Sequence, residues 1–220
     1  MTNTETAAEA WRRRATQGGR VDFTMMYVAH DAFNRDLARL VRAAADGRTS
    51  SAAAKATWDM FDRQLHTHHS TEDTSLWPRV RKAATDADEI AILDAMEHEH
   101  QLLDPLIERV DASLRHGNDV SLVGELGELA STLAAHMRHE EDAALPLVER
   151  RIGKPGWDDF GKDIRRAQGG VRAGAQYLPW VLDNVAEPAR NTVLSVLPPP
   201  ARLLYRKIWE PNYRRSVHLL

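Results

Sequence analysis

The feature that most constrains the fold of this chain is an internal repeat, in which the residue types of 58–80 reappear at 126–148, 68 positions later. The shared pattern has apolar residues three or four apart, then a histidine, an acidic pair and a proline. A second match, at an offset of 70, relates 26–40 to 96–110. Two halves built on one plan predict two similar helical hairpins that pack against each other. The matched pairs are Trp58 and Leu126, Phe61 and Leu129, Leu65 and Leu133, His68 and His136, Glu72 and Glu140, Asp73 and Glu141, Pro78 and Pro146, and Val80 and Val148, with Met26 and Met96, His30 and His100, Phe33 and Leu103, Leu37 and Ile107, and Leu40 and Val110 at the second offset.

The apolar spacing by three and four predicts helices, and glycine and proline are scarce before residue 150. Four such segments of roughly 25 residues are separated by short polar stretches. They predict an all-α fold, an antiparallel up-down four-helix bundle. The third segment contains Pro105, where we expect a kink. The predicted boundaries are Asp22 to the ADG at 45–47, Ser50 or Ser51 to Pro78, Thr85 or Asp86 to the HGND at 116–119, and Ser121 to Pro146.

Composition narrows the chemistry that the chain can perform. The 220 residues include no cysteine, which excludes disulfides, thiolate zinc sites, iron–sulfur clusters and a cysteine nucleophile. Neither a glycine-rich phosphate loop nor a Ser–His–Asp arrangement stands out. The N-terminus is polar and no run of about 18 uncharged apolar residues occurs, so we expect a cytoplasmic protein without a membrane partner.

Charge divides the chain into two parts. Residues 1–150 contain 26 acidic against 17 basic residues, whereas residues 151–220 contain 12 basic against 6 acidic. We predict an N-terminal arm at 1–21, a bundle at 22–152 and a basic C-terminal extension at 153–220.

Proline, glycine and tryptophan punctuate this extension, which is too apolar for a free tail. We expect it to be partly helical and partly irregular, with short helices near 175–186 and 200–209, and to pack over the acidic bundle. The alternative is a surface that binds a protein, nucleic acid or a membrane. The Arg and Lys residues of the extension are interleaved with Leu, Val and Trp, which favours packing on the bundle. Binding of a protein partner stays the alternative, and nucleic-acid binding is disfavoured.

Each predicted helix places one histidine on its apolar face. His68 follows Leu65 by three residues and Glu72 follows His68 by four, so both side chains point toward the bundle axis. Burying each such group without a partner would cost roughly several kcal/mol. A bound metal ion would supply the missing partner. A lone inward histidine is usually a core residue bonded to a carbonyl, but four at duplicated positions favour a metal site. The candidate ligands are His30, His68, Glu72, His100, His136 and Glu140.

The donor types restrict the metal. Imidazole with carboxylate and without thiolate suits iron, manganese, zinc or copper rather than magnesium or calcium, and glutamate is long enough to bridge two ions. His69 lies four residues after Leu65 and three before Glu72, so it either lines the site or supports a ligand. The remaining histidines fall off the apolar stripes and are expected in solvent: His66, His98, His116, His139 and His218.

The order His30, His68-x3-Glu72, His100 and His136-x3-Glu140 resembles the hemerythrin-like (HHE cation-binding) domain over residues 22–150. The EDTSLWP and EEDAALP that begin at each glutamate resemble its signature. The resemblance implies a four-helix bundle around a non-haem di-iron centre with an oxo or hydroxo bridge. It implies the four histidines as terminal ligands and both glutamates as bridges, and a protein that binds O2 or reacts with peroxide or nitric oxide.

One departure affects this expectation. The O2-carrying members add a second histidine on the third helix, one turn from the first, where this chain has Met96 and Asp104. About ten of twelve positions on two six-coordinate irons would then be filled, leaving one open on each. That favours peroxide or nitric oxide chemistry, unless a seventh ligand is present. The candidates are Tyr27, His69, Glu97 and Asp104, with Tyr27 and Asp104 preferred.

We therefore expect a hemerythrin-like protein that binds O2 or a related small oxidant, peroxide or nitric oxide, for sensing, storage or detoxification. A first alternative is a di-iron enzyme that disproportionates hydrogen peroxide, and a second is a metal-dependent interaction module read through the extension. Whether the protein is an enzyme stays open at this point.

Overall fold

The computed structural model describes residues 7–16, 19–116 and 119–217, which form helices joined by turns, without a strand among them. The prediction of an all-α helical bundle is confirmed, while its up-down order stays a prediction. No helix in these ranges is both long and apolar enough to cross a membrane. The elements are α1 (Ala7–Thr16), α2 (Thr24–Ala45), α3 (Ala52–Thr71), π1 (Glu72–Leu76), α4 (Trp77–Ala83), α5 (Ala87–His116), α6 (Asp119–His139), π2 (Glu140–Ala144), α7 (Leu145–Arg151), α8 (Gly153–Ala167), α9 (Gly170–Val181), α10 (Glu187–Ser195), α11 (Pro199–Leu204), π3 (Tyr205–Trp209) and α12 (Glu210–Val217).

Local signals account for some of the helix boundaries. The Ser51 side chain accepts a hydrogen bond from the Ala54 N–H and caps α3 as predicted. Asp22 accepts from the Thr24 N–H at 2.9 Å, although Phe23 occupies the cap position of α2. The turn after α2 requires Gly47, whose φ of 65° favours glycine.

The prolines at 78 and 146 do not end the second and fourth helices, contrary to the prediction. Each lies within the first two positions of the next helix, α4 or α7, where a missing N–H costs little. A π-helical turn precedes each of them, in which the Trp77 N–H donates to the Glu72 carbonyl and the Leu145 N–H donates to the Glu140 carbonyl. Such turns accumulate at functional sites, and both begin at a predicted bridging glutamate. Pro105 lies within the uninterrupted α5, where a kink stays a prediction.

Two hydrophobic clusters form the core. Helices α2 and α5 each pass from one cluster to the other, whereas α3 and α6 lie in one cluster and reach the other through the π turns and short helices that follow them. On α2, Met26 belongs to one cluster and Phe33 to the other, with His30 between them. On α5, Met96 and Leu103 take the same places. The four helices therefore share one polar layer between two apolar clusters.

The extension is more helical than predicted. The expected helices near 175–186 and 200–209 correspond to α9 and to α11 with π3, but α8, α10 and α12 were missed. Helix α8 was missed because Pro155 was read as punctuation, whereas it occupies the first turn of the helix, where proline is tolerated. Apolar residues three and four apart then pack it on the core: Trp157, Phe160 and Ile164.

The extension also contributes to the core itself. The Trp180 ring is 1% exposed and lies 5.4 Å from the Phe33 ring, and its Nε1 donates to Asp36 at 2.6 Å. Arg35 donates to the backbone carbonyls of Trp180 and Asp183. These contacts anchor α9 on α2. The division into arm, bundle and extension stays a prediction.

Candidate metal centre

The polar layer contains all six predicted ligand residues, and each of them is buried. They come from the four long helices and from the first residue of each π turn. The low solvent exposure of these residues shows that the layer lies in the interior. The exposed fractions are His30 0%, His68 8%, Glu72 0%, His100 4%, His136 2% and Glu140 0%.

One group of three ligand atoms is formed by His30, His68 and Glu140, whose nearest nitrogen and oxygen atoms all lie within 4.8 Å of one another. The Nε2 of His30 is 3.1 Å from Oε2 of Glu140. We call this group the first triad. Two imidazoles and a carboxylate at this separation fit a single cation.

A second group of three imidazoles lies beside it, formed by His69, His100 and His136 within the same 4.8 Å limit. The Nε2 atoms of His100 and His136 are 3.2 Å apart, and the His69 ring stacks on His100 with 4.0 Å between the centroids. We call this group the second triad. It includes His69, to which the sequence interpretation gave little weight.

Glu72 lies between the triads. Its Oε1 is 3.0 Å from Nε2 of His68 in the first triad, and its Oε2 is 3.6 Å from Nε2 of His100 in the second. One carboxylate thus reaches both groups, as a ligand bridging two cations would.

Several of these atoms are buried without a hydrogen-bond partner among the described residues. They are both carboxylate oxygens of Glu72 and of Glu140, together with Nε2 of His30 and Nε2 of His69. Burial, followed by the charges of Glu140 and Asp73, holds the pKa of Glu72 well above its usual value. Buried acceptors without donors are costly, and cations in the triads would satisfy them. The residues therefore fit a pair of bound metal ions.

Three carboxylates orient three of the imidazoles. The Nδ1 of His30 lies 2.8 Å from Glu141, and the Nδ1 of His100 lies 2.8 Å from Asp73. Similarly, Glu99 lies 2.9 Å from Nδ1 of His136. A proton held on Nδ1 by a carboxylate leaves Nε2 free to bind metal.

These orienting carboxylates were not recognised as such from the sequence. A signal existed for two of them, because Asp73 and Glu141 directly follow the glutamates and occupy equivalent repeat positions. Glu99 also accepts from His139 at 2.7 Å, and the His139 side chain is 40% exposed, in line with the prediction that it is solvated. His66, His98 and His116 are exposed as predicted, and His218 lies outside the described residues.

The other candidates for a seventh ligand lie elsewhere. Asp104 is exposed and Glu97 pairs with Arg81 at 3.0 Å, so the preference for Asp104 was wrong. Tyr27 packs edge-on against Trp11, and burial, with the nearby Glu141, raises its pKa to about 12. His69 is the candidate that joins the cluster. The position equivalent to it in the second half is Met137, so this imidazole has no counterpart there.

Metal binding is expected to release protons. Burial lowers the pKa of His30, but Glu140 and Glu141 outweigh this effect and raise it to about 9. Below that pH the empty site holds a proton that coordination must displace, so affinity should rise with pH by up to about tenfold per unit for each proton. Calorimetric titration with Co²⁺ at pH 7, in two buffers of different ionisation enthalpy, should show at least one proton released. Equal heats in both buffers would contradict the assignment of His30.

Comparison with known proteins places these residues in a family. The hemerythrin HHE cation binding domain matches residues 21–148, more than half of the chain, and this span contains both triads and Glu72. No curated protein and no solved structure matches the chain. The all-helical fold, the polar layer and this match together show that the chain belongs to the family of hemerythrin HHE cation-binding domains.

Proposed function

We propose that this protein holds two iron ions with an oxo or hydroxo bridge and uses them to bind O2 or a related small oxidant, peroxide or nitric oxide. The observation that carries the proposal is the pair of buried triads connected by Glu72, with ligand atoms that lack other partners. Bound iron would supply reversible redox chemistry toward such ligands. Sensing, storage and detoxification all remain uses of this one centre, and the cytoplasmic location stays a prediction.

The donor set is compatible with iron. Five imidazoles and two carboxylates without thiolate suit iron, manganese, zinc or copper, and the family resemblance favours iron among these. His30, His68 and Glu140 would hold one ion, and His69, His100 and His136 the other, with Glu72 shared. Glu140 serves the first triad and also lies near His136, whose pKa it affects, which supports its predicted role as the second bridge.

The surrounding residues would control what reaches the ions. Apolar side chains cover the polar layer on both sides, so a small uncharged molecule enters at lower cost than an ion. The carboxylates on Nδ1 hold three of the five rings, those of His30, His100 and His136, in place before any ligand arrives. The site is thus organised in advance by its own hydrogen bonds.

His69 changes the balance between binding and turnover. With a fifth imidazole, about eleven of twelve positions on two six-coordinate ions are filled, which leaves about one open position. A single open position would favour the binding of one small molecule. It disfavours peroxide disproportionation that needs access to both ions, so the binding role is preferred over the enzymatic one.

The proposal is tested by loading the full chain with ferrous iron without air. We expect two irons per chain by metal analysis, and a near-ultraviolet charge-transfer band that appears with O2 and declines when O2 is removed. Fewer than two ions per chain, or no spectral response to O2, peroxide or nitric oxide, would contradict the proposal. Vigorous oxygen evolution from added peroxide would instead establish the enzymatic alternative.

A further inference from the structure

Helix α1 lies outside residues 21–148, yet it reaches the metal centre. The guanidinium of Arg14 donates two hydrogen bonds to Glu141, from Nη2 to Oε1 at 2.7 Å and from Nε to Oε2 at 3.0 Å. The same Oε1 lies 2.8 Å from Nδ1 of His30 in the first triad. Arg14 and Glu141 are 6% and 1% exposed, so this is a buried, two-pronged ion pair that touches a predicted ligand.

A second set of contacts fixes Arg14 in place. Its Nη1 donates to Asp31 at 2.9 Å, and Asp31 also accepts from Nε1 of Trp11 at 2.8 Å. The guanidinium lies over the rings of Trp11 and Tyr27, 5.3 and 4.8 Å from the centroids. Arg14 therefore has one position, with each polar contact aimed at α2 or at π2.

Comparison of the two halves of the repeat shows that an arginine contacts the supporting carboxylate at the first triad but, within the described part of the chain, not at the second. Asp73 is the equivalent of Glu141 and holds His100 of the second triad in the same way. The Asp73 side chain, however, is 39% exposed, and its contacts among the described residues include no arginine. The Asp73 carboxylate, which supports the second triad, is thus open to solvent, whereas Glu141, which supports the first, is buried against α1.

We propose that helix α1 is a working part of the metal centre, in which Arg14 acts as a positioning residue: it holds Glu141 against His30 and thereby sets the affinity of the first triad. The inference rests on the proposed function, because it requires a cation in that triad. Without Arg14, Glu141 would keep the partly exposed Arg13, whose Nη2 lies 2.7 Å from its Oε2, but it would lose the buried guanidinium and the two-pronged contact that fixes its direction. The His30 ring would then lose its fixed orientation, while the second triad would keep Asp73 and Glu99.

The test is a Co²⁺ titration of the full-length protein, followed by the visible absorption of the bound ion. For Arg14→Gln we expect one of the two binding steps to weaken by about 10–100-fold, as for other residues that support a ligand, and the other step to keep its affinity. Asp73→Asn should weaken the complementary step by a similar factor. Arg12→Gln removes the same charge from an exposed position of the same helix and should change neither step.

A double-variant cycle separates positioning from general stabilisation. In a His30→Asn background, Arg14→Gln should cause no further loss of affinity, whereas its effect should add to that of Asp73→Asn. Equal weakening of both steps by Arg14→Gln, or no weakening, would overturn the inference. If the unaltered chain binds no pair of cations, the proposed function itself fails, which is a distinguishable result.

The unaltered protein provides a second measurement. Coupling is reciprocal, so if docked α1 strengthens cation binding, a bound cation must strengthen the docking of α1. Co²⁺ should therefore slow tryptic cleavage after Arg14 in the wild-type chain but not in His30→Asn. Equal cleavage with and without Co²⁺ in the wild-type chain would count against the coupling.

Discussion

Glu72→Gln is expected to abolish the binding of the cation pair and, at the same time, to stabilise the empty protein. Glu72 is the residue that reaches both triads, and an amide cannot replace a carboxylate that bridges two cations. In the empty protein the same carboxylate is fully buried without hydrogen-bond partners among the described residues. A neutral amide removes the cost of ionising this buried group, so the metal-free fold should be more stable by about 1–3 kcal/mol at a pH well above 4.5.

The gain in stability should depend on pH in a defined direction. Burial, with Glu140 and Asp73, raises the pKa of Glu72 far above the usual 4.5, so its ionisation opposes folding as pH rises above 4.5. Denaturant unfolding of the metal-free proteins should show the variant more stable at pH 8 and little different at pH 4. Metal analysis should show loss of the pair.

Glu97→Gln is the matched control for this change. Glu97 was also a candidate ligand, but its side chain is 42% exposed and paired with Arg81. The control variant should keep both cations and its stability. A Glu72→Gln protein that retains two ions per chain, or a Glu97→Gln protein that loses them, would refute the assigned geometry.

His69→Met should open the second triad and shift the chemistry from binding toward turnover. Methionine occupies the equivalent buried position in the other half of the repeat, as Met137, so the fold should accept the change. Loss of a supporting residue alone costs 10–100-fold in metal affinity, so loss of this imidazole should weaken the second cation by more than about 100-fold. With both cations held at saturating concentration, each would then have an open position.

The readouts are Co²⁺ affinity and oxygen evolution from peroxide by the iron-loaded protein. We expect weaker binding of one cation, together with faster oxygen evolution than in the wild-type chain. His66→Met, an exposed position three residues earlier, should leave both quantities unchanged. Unaltered affinity in His69→Met would show that His69 is a neighbour of the centre and not a ligand.

Much of the site was predictable because it follows from helix periodicity. His30, His68, His100 and His136 lie on apolar stripes, and helices that bury those stripes must bring the four rings together. The glutamates one turn later followed by the same reasoning. The cap at Ser51 was predictable because its hydrogen bond spans three residues. The role of these six residues as metal ligands stays a prediction.

Other features could not be predicted from the sequence because they depend on contacts between distant segments. The helices continue through Pro78 and Pro146 by way of π turns, which local proline rules do not foresee. The pairing of Arg14 with Glu141 joins residues 127 positions apart, and no local sequence pattern predicts it. Trp180 was expected in an extension that packs over the bundle, but its contact with Phe33 makes it part of the core itself.

The sequence by itself determined that the chain is helical, that it contains a doubled hairpin pattern, and that four histidines and two glutamates share the apolar faces. Periodicity is a local property, so it is encoded within each segment. Only the tertiary structure decided that His69 joins the second triad, that Glu72 spans both triads, and that α1 covers one of them. Those relations depend on the rotation and the spacing of helices against one another, which packing of the whole core sets and no single segment encodes.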